Sequence, residues 1–227
     1  MGYELDFGAL LQYAGLFVEG TAVTIGLTAC SAVLGLALSV AGAAATQGPW
    51  AWGRAAVAAY VELFRNTPFI VQLFFVFFGL PSLGLHLGAL EAAVLAMTLN
   101  LTAYAIEIVR AGIEAVPPGQ HEAGRSLGLR PVPAFALIVL PQALANVYPA
   151  LVSQIIITML ESAVVSQIAV VDLTHVADFI QSRNFRSFET YFVITVVYLV
   201  LAVGTRRLLA LWRRRLAGGR LTGDRAA

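Results

Sequence analysis

Asn100, Tyr104 and Glu107 follow one another at i, i+4 and i+7, and Gln154, Thr158 and Glu161 repeat that spacing further along, with Ser162 and Ser166 beyond. On an α-helix each set falls along one face. The amides and hydroxyls of such a set both donate and accept hydrogen bonds, and a carboxylate pairs with an ammonium group. Two faces of this kind on neighbouring helices would line one cavity suited to a small zwitterion. Glu107 also lies three residues before Arg110, which fits a helix-surface ion pair equally well. Glu62 and Arg65 share the same i, i+3 relation. The three histidines, His86, His121 and His175, are dispersed, and no HExxH or GxSxG motif accompanies them. Neither a metal centre nor catalysis is expected.

These polar groups must be positioned by elements that live in a bilayer. Apolar residues make up 59% of the 227 and charged residues only 12%. That is too little charge for the solvated surface of a soluble domain. A bilayer core takes about 20 predominantly apolar residues per helix. Five stretches qualify, at about 17–45, 56–80, 87–113, 135–165 and 191–211. They are continuous rather than alternating, which indicates an all-α integral membrane bundle instead of a barrel. An ionisable group inside such a span costs roughly 2.5 to 3.5 kcal/mol on insertion scales, so one that stays there normally faces a cavity or a partner. In the first span Ser31, Gly35, Ser39 and Ala43 recur every four residues. They form a close-packing stripe, and Cys30 is expected to pack among them. Residues 2–15 are too short to span and are expected to lie in the interface. The acidic start, Glu4 and Asp6, lacks the basic region of a cleavable signal peptide, so the first helix is expected to stay attached.

All 14 basic residues are arginine. With the N-terminus outside and the C-terminus inside, twelve of them fall at or near the inner face and only Arg183 and Arg186 outside, the bias that inner-face loops carry. The segment between the third and fourth spans, about 114–134, is then cytoplasmic. Pro117-Pro118 can open a short helix there, Glu122 sits in its first turns near the positive helix end, and Gly128 can stop it. Pro131 and Pro133 forbid a simple continuation, so a helix of two to three turns would lie across the inner face and offer itself to a partner's groove. Pro141 and Pro149 are expected to bend or loosen the fourth span. The segment 172–189, with its mixed charge, reads as an outer connector or a landing surface.

Glu122-Ala123-Gly124, three residues, Gly128, nine residues, Ile138, one residue and Leu140-Pro141 resemble the EAA motif of permease subunits in bacterial ATP-binding-cassette importers. Gly124 stands where that motif usually has Ala, at a cost of roughly 1 kcal/mol of helix propensity, so a looser helix is expected. Tyr60 to Pro68 with Gln72-Leu73-Phe74 look like the second span of permeases for polar amino acids. Leu99-Asn100, Ala103-Tyr104, Glu107-Ile108, Arg110 and Gly112-Ile113 look like their third, and Pro141-Gln142-Ala143-Leu144 like the opening of their fourth. The likeness runs from about residue 20 to 216 and points to the branch with the histidine, arginine and glutamine uptake systems. The chain departs where the family commonly has Lys-Asp-Thr-Ser and this sequence has Leu160-Glu161-Ser162-Ala163, which removes a cation beside the acid.

The resemblance implies one transmembrane permease domain over 1–227, with its core at about 17–212, in the bacterial inner membrane. It implies a second permease subunit, identical or paralogous, a cytoplasmic ATPase dimer that binds ATP and Mg, and an extracytoplasmic amino acid-binding protein. Glu122, Ala123, Gly124, Arg125 and Gly128 would couple to the ATPase. Asn100, Tyr104, Gln154, Thr158, Glu161 and Ser162 would be substrate candidates, and Glu62, Arg65, Pro68, Glu107 and Pro141 gate or structural positions. No cofactor is expected in this chain; membrane lipid is an expected contact, and nucleic acid is not. A P-loop needs a lysine and the chain has none, so ATP hydrolysis falls to another polypeptide. An ATP-independent carrier or channel is the competing reading, and it leaves the insert without a purpose.

Overall fold

The computed structural model describes residues 4–221, except the side chains of His121 and residues 214–221. Part of the basic tail, the side chains of Arg214, Arg215 and Arg220 and all of Arg225, therefore lies outside the described residues. Among the described residues four helical segments are long and apolar enough to cross a membrane, Gly8–Thr46, Ala89–Glu114, Pro131–Ile168 and Ser187–Arg213. A fifth is a bent pair, Ala51–Arg65 with Phe69–Leu83, turned through 109°. Internal contacts group the chain into two units, Gly26–Glu161 and the combination of Met1–Ile25 with Ser162–Ala227.

The unit Gly26–Glu161 is organised around α4 (Ala89–Glu114), in which Ala92, Ala93, Ala96, Ala103 and Ala105 are fully buried. Glu91 starts this helix by accepting the Gly88 N–H at 2.5 Å. Small residues let other backbones approach, as membrane helices require where lipid gives no hydrophobic drive. A methyl placed on Gly112 would lie 2.8 Å from the Ala143 carbonyl oxygen of α7 (Leu140–Glu161) and 2.8 Å from Val147 Cγ1. Ala105, Val109 and Ile113 of α4 join Val139, Ala143 and Leu151 in one apolar cluster. The later part of α1 (Ala14–Thr46) packs through the expected stripe, with Ser31, Gly35, Ser39 and Ala43 buried and Gly35 against Leu101. Cys30 departs from expectation and is exposed. It lies about 100° around the helix from Ser31 and further from the rest of that buried row.

The second apolar stretch, expected to be continuous over 56–80, is broken. α2 (Ala51–Arg65) ends at Asn66, and α3 (Phe69–Phe74) starts after Pro68, whose backbone is extended at φ −62°, ψ 140°. Proline has no N–H to give to the preceding turn, and it pushes the residue before it out of the helical region. Beyond α3 the helix widens to π geometry over Phe75–Gly79 and tightens to 3-10 over Leu80–Leu83.

In the other unit, residues 8–13 are not a separate interfacial helix: Gly8–Tyr13 forms a 3-10 turn that runs directly into α1. The connector after the fourth span is also more ordered than its charge suggested. α8 (Leu173–Asn184) is capped by Asp172, whose Oδ1 accepts the His175 N–H at 2.9 Å. Asp172 is fully buried, and burial pushes its carboxyl above the usual carboxylate range against the opposing hydrogen bonds from the His175 and Thr174 backbone and the Tyr198 hydroxyl. Gly20 of α1 lies against α8, where a methyl would meet Val176 Cγ2 at 2.9 Å and the Asp172 carbonyl oxygen at 3.0 Å. Arg186 and the buried Glu189, at the start of α9 (Ser187–Leu221), hold the N-terminal segment. Asp6 N–H donates to Glu189 Oε1 at 3.0 Å, and Arg186 reaches Glu189 at 3.0 Å and Asp6 at 3.6 Å.

Gly112→Ala and Gly20→Ala each force packed backbones apart and are expected to destabilise by about 1–3 kcal/mol, as overpacking does. Gly204 has nothing within 4 Å of an added methyl. Gly204→Ala should therefore stabilise, by up to about 1 kcal/mol, through helix propensity. Thermal unfolding of the three variants in detergent checks the opposite signs.

Candidate functional site

The segment between the third and fourth spans folds as α5 (Pro118–Ser126), nine residues long, with Pro118 at its first position. Pro117 precedes it in extended geometry, and Gly128 ends it at φ 72°. That left-handed conformation costs residues other than glycine about 1–2 kcal/mol. Glu122 is the fifth residue and so lies beyond the first turn, away from the helix-end charge expected to favour it. Glu122, Ala123, Arg125 and Ser126 are exposed, as is Leu127, 75% accessible just after the helix. Gly124 alone of this run is buried.

Gly124 marks where α5 closes on the fourth span. A methyl there would come within 3.1 Å of Ala134 Cβ and of Ile138 Cδ1, so its missing side chain is the space in which α5 sits against the fourth span. That span opens with α6 (Pro131–Ala134), passes through a π stretch, Phe135–Val139, and continues as α7. The Leu140 N–H reaches back five residues to the Phe135 carbonyl. The wide turn lies immediately before Pro141, which has no N–H of its own to donate.

A second constellation holds the 109° elbow between α2 and α3. The Gln72 amide nitrogen donates to the Phe64 carbonyl at 2.8 Å, the Thr67 carbonyl at 3.0 Å and the Thr67 hydroxyl at 2.9 Å. Its oxygen accepts from Asn100 Nδ2 at 2.9 Å. Asn100, a substrate candidate by sequence, is thus 3% exposed and engaged in fixing the elbow, with Oδ1 unpartnered. Tyr60 donates to the Leu99 carbonyl at 2.5 Å from the α2 side. Near the end of α2, Arg65 lies 5.5 Å over the Tyr104 ring and 3.7 Å from Glu107. Glu107 in turn bonds Arg110 at 2.7 Å, and Arg110 bonds Glu114 at 2.6 Å. Arg65 therefore pairs with Glu107 rather than Glu62, which is exposed. The elbow also borders an open pocket of about 420 Å³, with Leu63, Phe64, Val71, Phe75 and Leu99 among its walls. Walls of hydrocarbon do not suit a zwitterion.

The two polar rows do not face one another. Asn100, Tyr104 and Glu107 occupy the side of α4 turned to the elbow. Ala105, Val109 and Gly112, on the opposite side, meet α7. Gln154, Thr158 and Glu161 continue the face of α7 that carries Ala143, Val147 and Leu151. Gln154 and Thr158 are buried, with the Thr158 hydroxyl unpartnered, and Glu161 is half-buried at the last position of the helix. No ion pair reaches Glu161 among the described residues. Ser162, fully buried, opens the 3-10 segment Ser162–Ile168 in the other unit. Among the described residues no group of three His, Cys, Asp or Glu side chains is placed to hold a metal ion. Sequence reasoning missed Gln72 as the elbow's clamp, and Gln120 and Gln142 beside Gly124. Their signal was an amide close to a proline break.

Because the elbow's loose backbone groups depend on one amide, Gln72→Leu is expected to destabilise by roughly 1–3 kcal/mol, the cost of buried groups left unpaired. Detergent melting curves check this, with Glu62→Gln as the neutral comparison.

Residues 34–218 match the family described as the binding-protein-dependent transport system inner membrane component. The chain is 35% identical over 204 residues to the arginine transport system permease protein ArtQ of Bacillus subtilis, covering 88% of this chain and 92% of that protein. It is 31% identical over 216 residues to the glutamine transport system permease protein GlnP of Escherichia coli, covering 94% and 98%. A crystal structure of an amino acid ABC transporter with histidines matches at TM-score 0.84 and 38% identity, over 94% of this chain and 100% of that one. The methionine transporter MetNI in an inward-facing form shares the fold at TM-score 0.69 and 20% identity, over 88% of this chain and 98% of that one. Members of this family are permease subunits that work with separate ATPase subunits and binding proteins. With the all-helical bundle and the exposed α5 in place, the chain belongs to the family of binding-protein-dependent transport system inner membrane components, the membrane-spanning permeases of ATP-binding-cassette importers.

Proposed function

We propose that the chain, 1–227, acts as a single permease domain that moves a polar amino acid across the inner membrane by alternating access. The observation that carries this reading is α5: a short helix with Glu122, Ala123 and Arg125 exposed and its back, at Gly124, seated on Ala134 and Ile138 of the fourth span. Such a helix can be gripped from outside and is packed against a membrane span behind. The arginine distribution favours a cytoplasmic α5 with the N-terminus outside. There it would meet one subunit of an ATPase dimer, which binds ATP and Mg and performs the hydrolysis, so this chain is not itself the enzyme. A second permease subunit completes the pathway, and an extracytoplasmic binding protein delivers the substrate. The amino acid class follows from the relatives, whose names specify arginine, glutamine and histidine.

Within this chain Glu161 is the best candidate for the substrate's α-ammonium, because it is a half-buried carboxylate at a helix end without a cationic neighbour among the described residues. Gln154, Thr158 and Ser162 supply neutral donors and acceptors near it along the chain. Asn100, Tyr104 and Glu107 contribute by holding the elbow with Arg65 and Pro68, a broken span of the kind that gates a path.

Replacing Glu122 and Gly128 together by alanine should cut uptake into reconstituted vesicles about tenfold, equivalent to about 1.4 kcal/mol of lost coupling, while ATP turnover continues. Uptake at the normal rate would contradict the assignment of α5. Glu161→Gln is expected to lower uptake or shift its preference among arginine, glutamine and histidine without releasing the ATPase. Unchanged uptake and preference would make Glu161 structural.

A further inference from the structure

Gln120 and Gly124 are four residues apart, and Ala134, Ile138 and Gln142 are spaced by four along the opening of the fourth span. At that spacing each set shares a helix face. The two rows meet in antiparallel order. Gly124 lies against Ala134 and Ile138, and one helical turn away Gln142 Nε2 donates to Gln120 Oε1 at 3.2 Å. The same nitrogen donates to the Ile138 carbonyl at 2.8 Å. Ile138 belongs to the π stretch, so a single carboxamide fastens α5, the wide turn and the first turn of α7 to one another.

Two points of attachment constrain a short helix more than one does. An apolar seat at Gly124 alone is a pivot about which α5 can rock. A directional bond one turn away removes that freedom, because two separated points define an axis. The next residue, Ala143, is fully buried, and its carbonyl oxygen is among the atoms closest to Gly112 of α4. A displacement passed through Gln142 therefore enters the packed α4–α7 contact at the adjoining residue.

We propose that Gln142 is a positioning residue of the coupling step: its carboxamide locks α5 to the fourth span through Gln120, so that movement of α5 becomes movement of α7. This rests on the reading of α5 as the contact with the ATPase. The contacts that give Gln142 this role, to Gln120 and the Ile138 carbonyl, lie within the permease itself. Its loss should leave the ATPase attached and active but make its strokes less productive.

The test uses the whole importer in proteoliposomes, with its ATPase and binding protein, and tritiated L-arginine, L-glutamine or L-histidine, whichever the unmutated complex accumulates. The readout is amino acid taken up per ATP hydrolysed. Gln142→Met and Gln120→Met keep side-chain length but remove the donor and the acceptor respectively. Each is expected to lower the ratio by roughly two- to tenfold, the worth of one hydrogen bond. The double variant should be no worse than either single one, because both remove the same bond. Gln120→Glu retains an acceptor oxygen for Gln142 and should keep a ratio near that of the unmutated complex. Basal ATP turnover, and a crosslink from an Ala123→Cys background to the ATPase, should persist in all four. A normal ratio in Gln142→Met with that crosslink intact, or losses that add in the double variant, would overturn the lock and leave the coupling role of α5 standing. Failure of the crosslink to form in the otherwise unmutated complex would remove the coupling role, and the lock with it.

Discussion

In hydrocarbon no water is available to a backbone N–H or C=O, so every residue that leaves the helical ladder must be satisfied by the protein itself. This constraint governs two places where the chain departs from straight helix, the α2–α3 elbow and the entrance to α7. At the α2–α3 elbow three acceptor sites of the broken turn, the carbonyls of Phe64 and Thr67 and the Thr67 hydroxyl, converge on one Gln72 amide. Asn100 then holds Gln72 from the neighbouring helix. At the entrance to α7, the helix widens to π geometry before Pro141 and the Gln142 amide covers the Ile138 carbonyl. The π stretches Phe75–Gly79 and Phe135–Val139 each end two residues before a proline, Pro81 and Pro141. Proline both removes a donor and crowds the carbonyl four residues earlier, and a wider turn upstream accommodates both effects.

The same economy explains why polar groups that looked available for a ligand are partly committed. Asn100 and Gln72 form a hydrogen-bonded pair that substitutes for missing backbone bonds. Arg65, Glu107, Arg110 and Glu114 form a chain of charge in which each carboxylate meets a guanidinium. Those groups are substantially exposed, so the network contributes more to the geometry of the elbow than to stability. Glu161 is different in kind. It ends α7 without a cation beside it among the described residues, in a sequence context that lacks the preceding basic residue.

Glycine serves α5 and the bundle in opposite ways. Gly112 and Gly20 let long helices come together over their backbones. Gly124 lets a short amphipathic helix seat on a span while its other face stays free. An alanine there would favour the isolated helix, but its methyl would need Ala134 and Ile138 to give by a few tenths of an ångström, a contact that propensity alone does not register. A coupling element must be gripped on one side and held on the other, and the departure from the usual motif falls on the held side.

Hydropathy and the prolines were enough to read the membrane class, the approximate extents of the unbroken spans and the proline-bounded insert, because these follow from chain length, apolar content and the missing N–H of proline. The small-residue stripe of α1 was legible for the same reason, as its spacing is a property of the helix alone. Helical spacing could also group Asn100 with Tyr104 and Glu107, but it could not say which neighbour that face meets. Only the tertiary structure decided that the row turns to the elbow while Ala105, Val109 and Gly112 turn to α7. The break at Asn66–Thr67–Pro68 was hidden because hydropathy does not register backbone direction. The pairing of Gln120 with Gln142 was hidden because a bond between residues 22 positions apart depends on how two helices meet, which no local periodicity encodes.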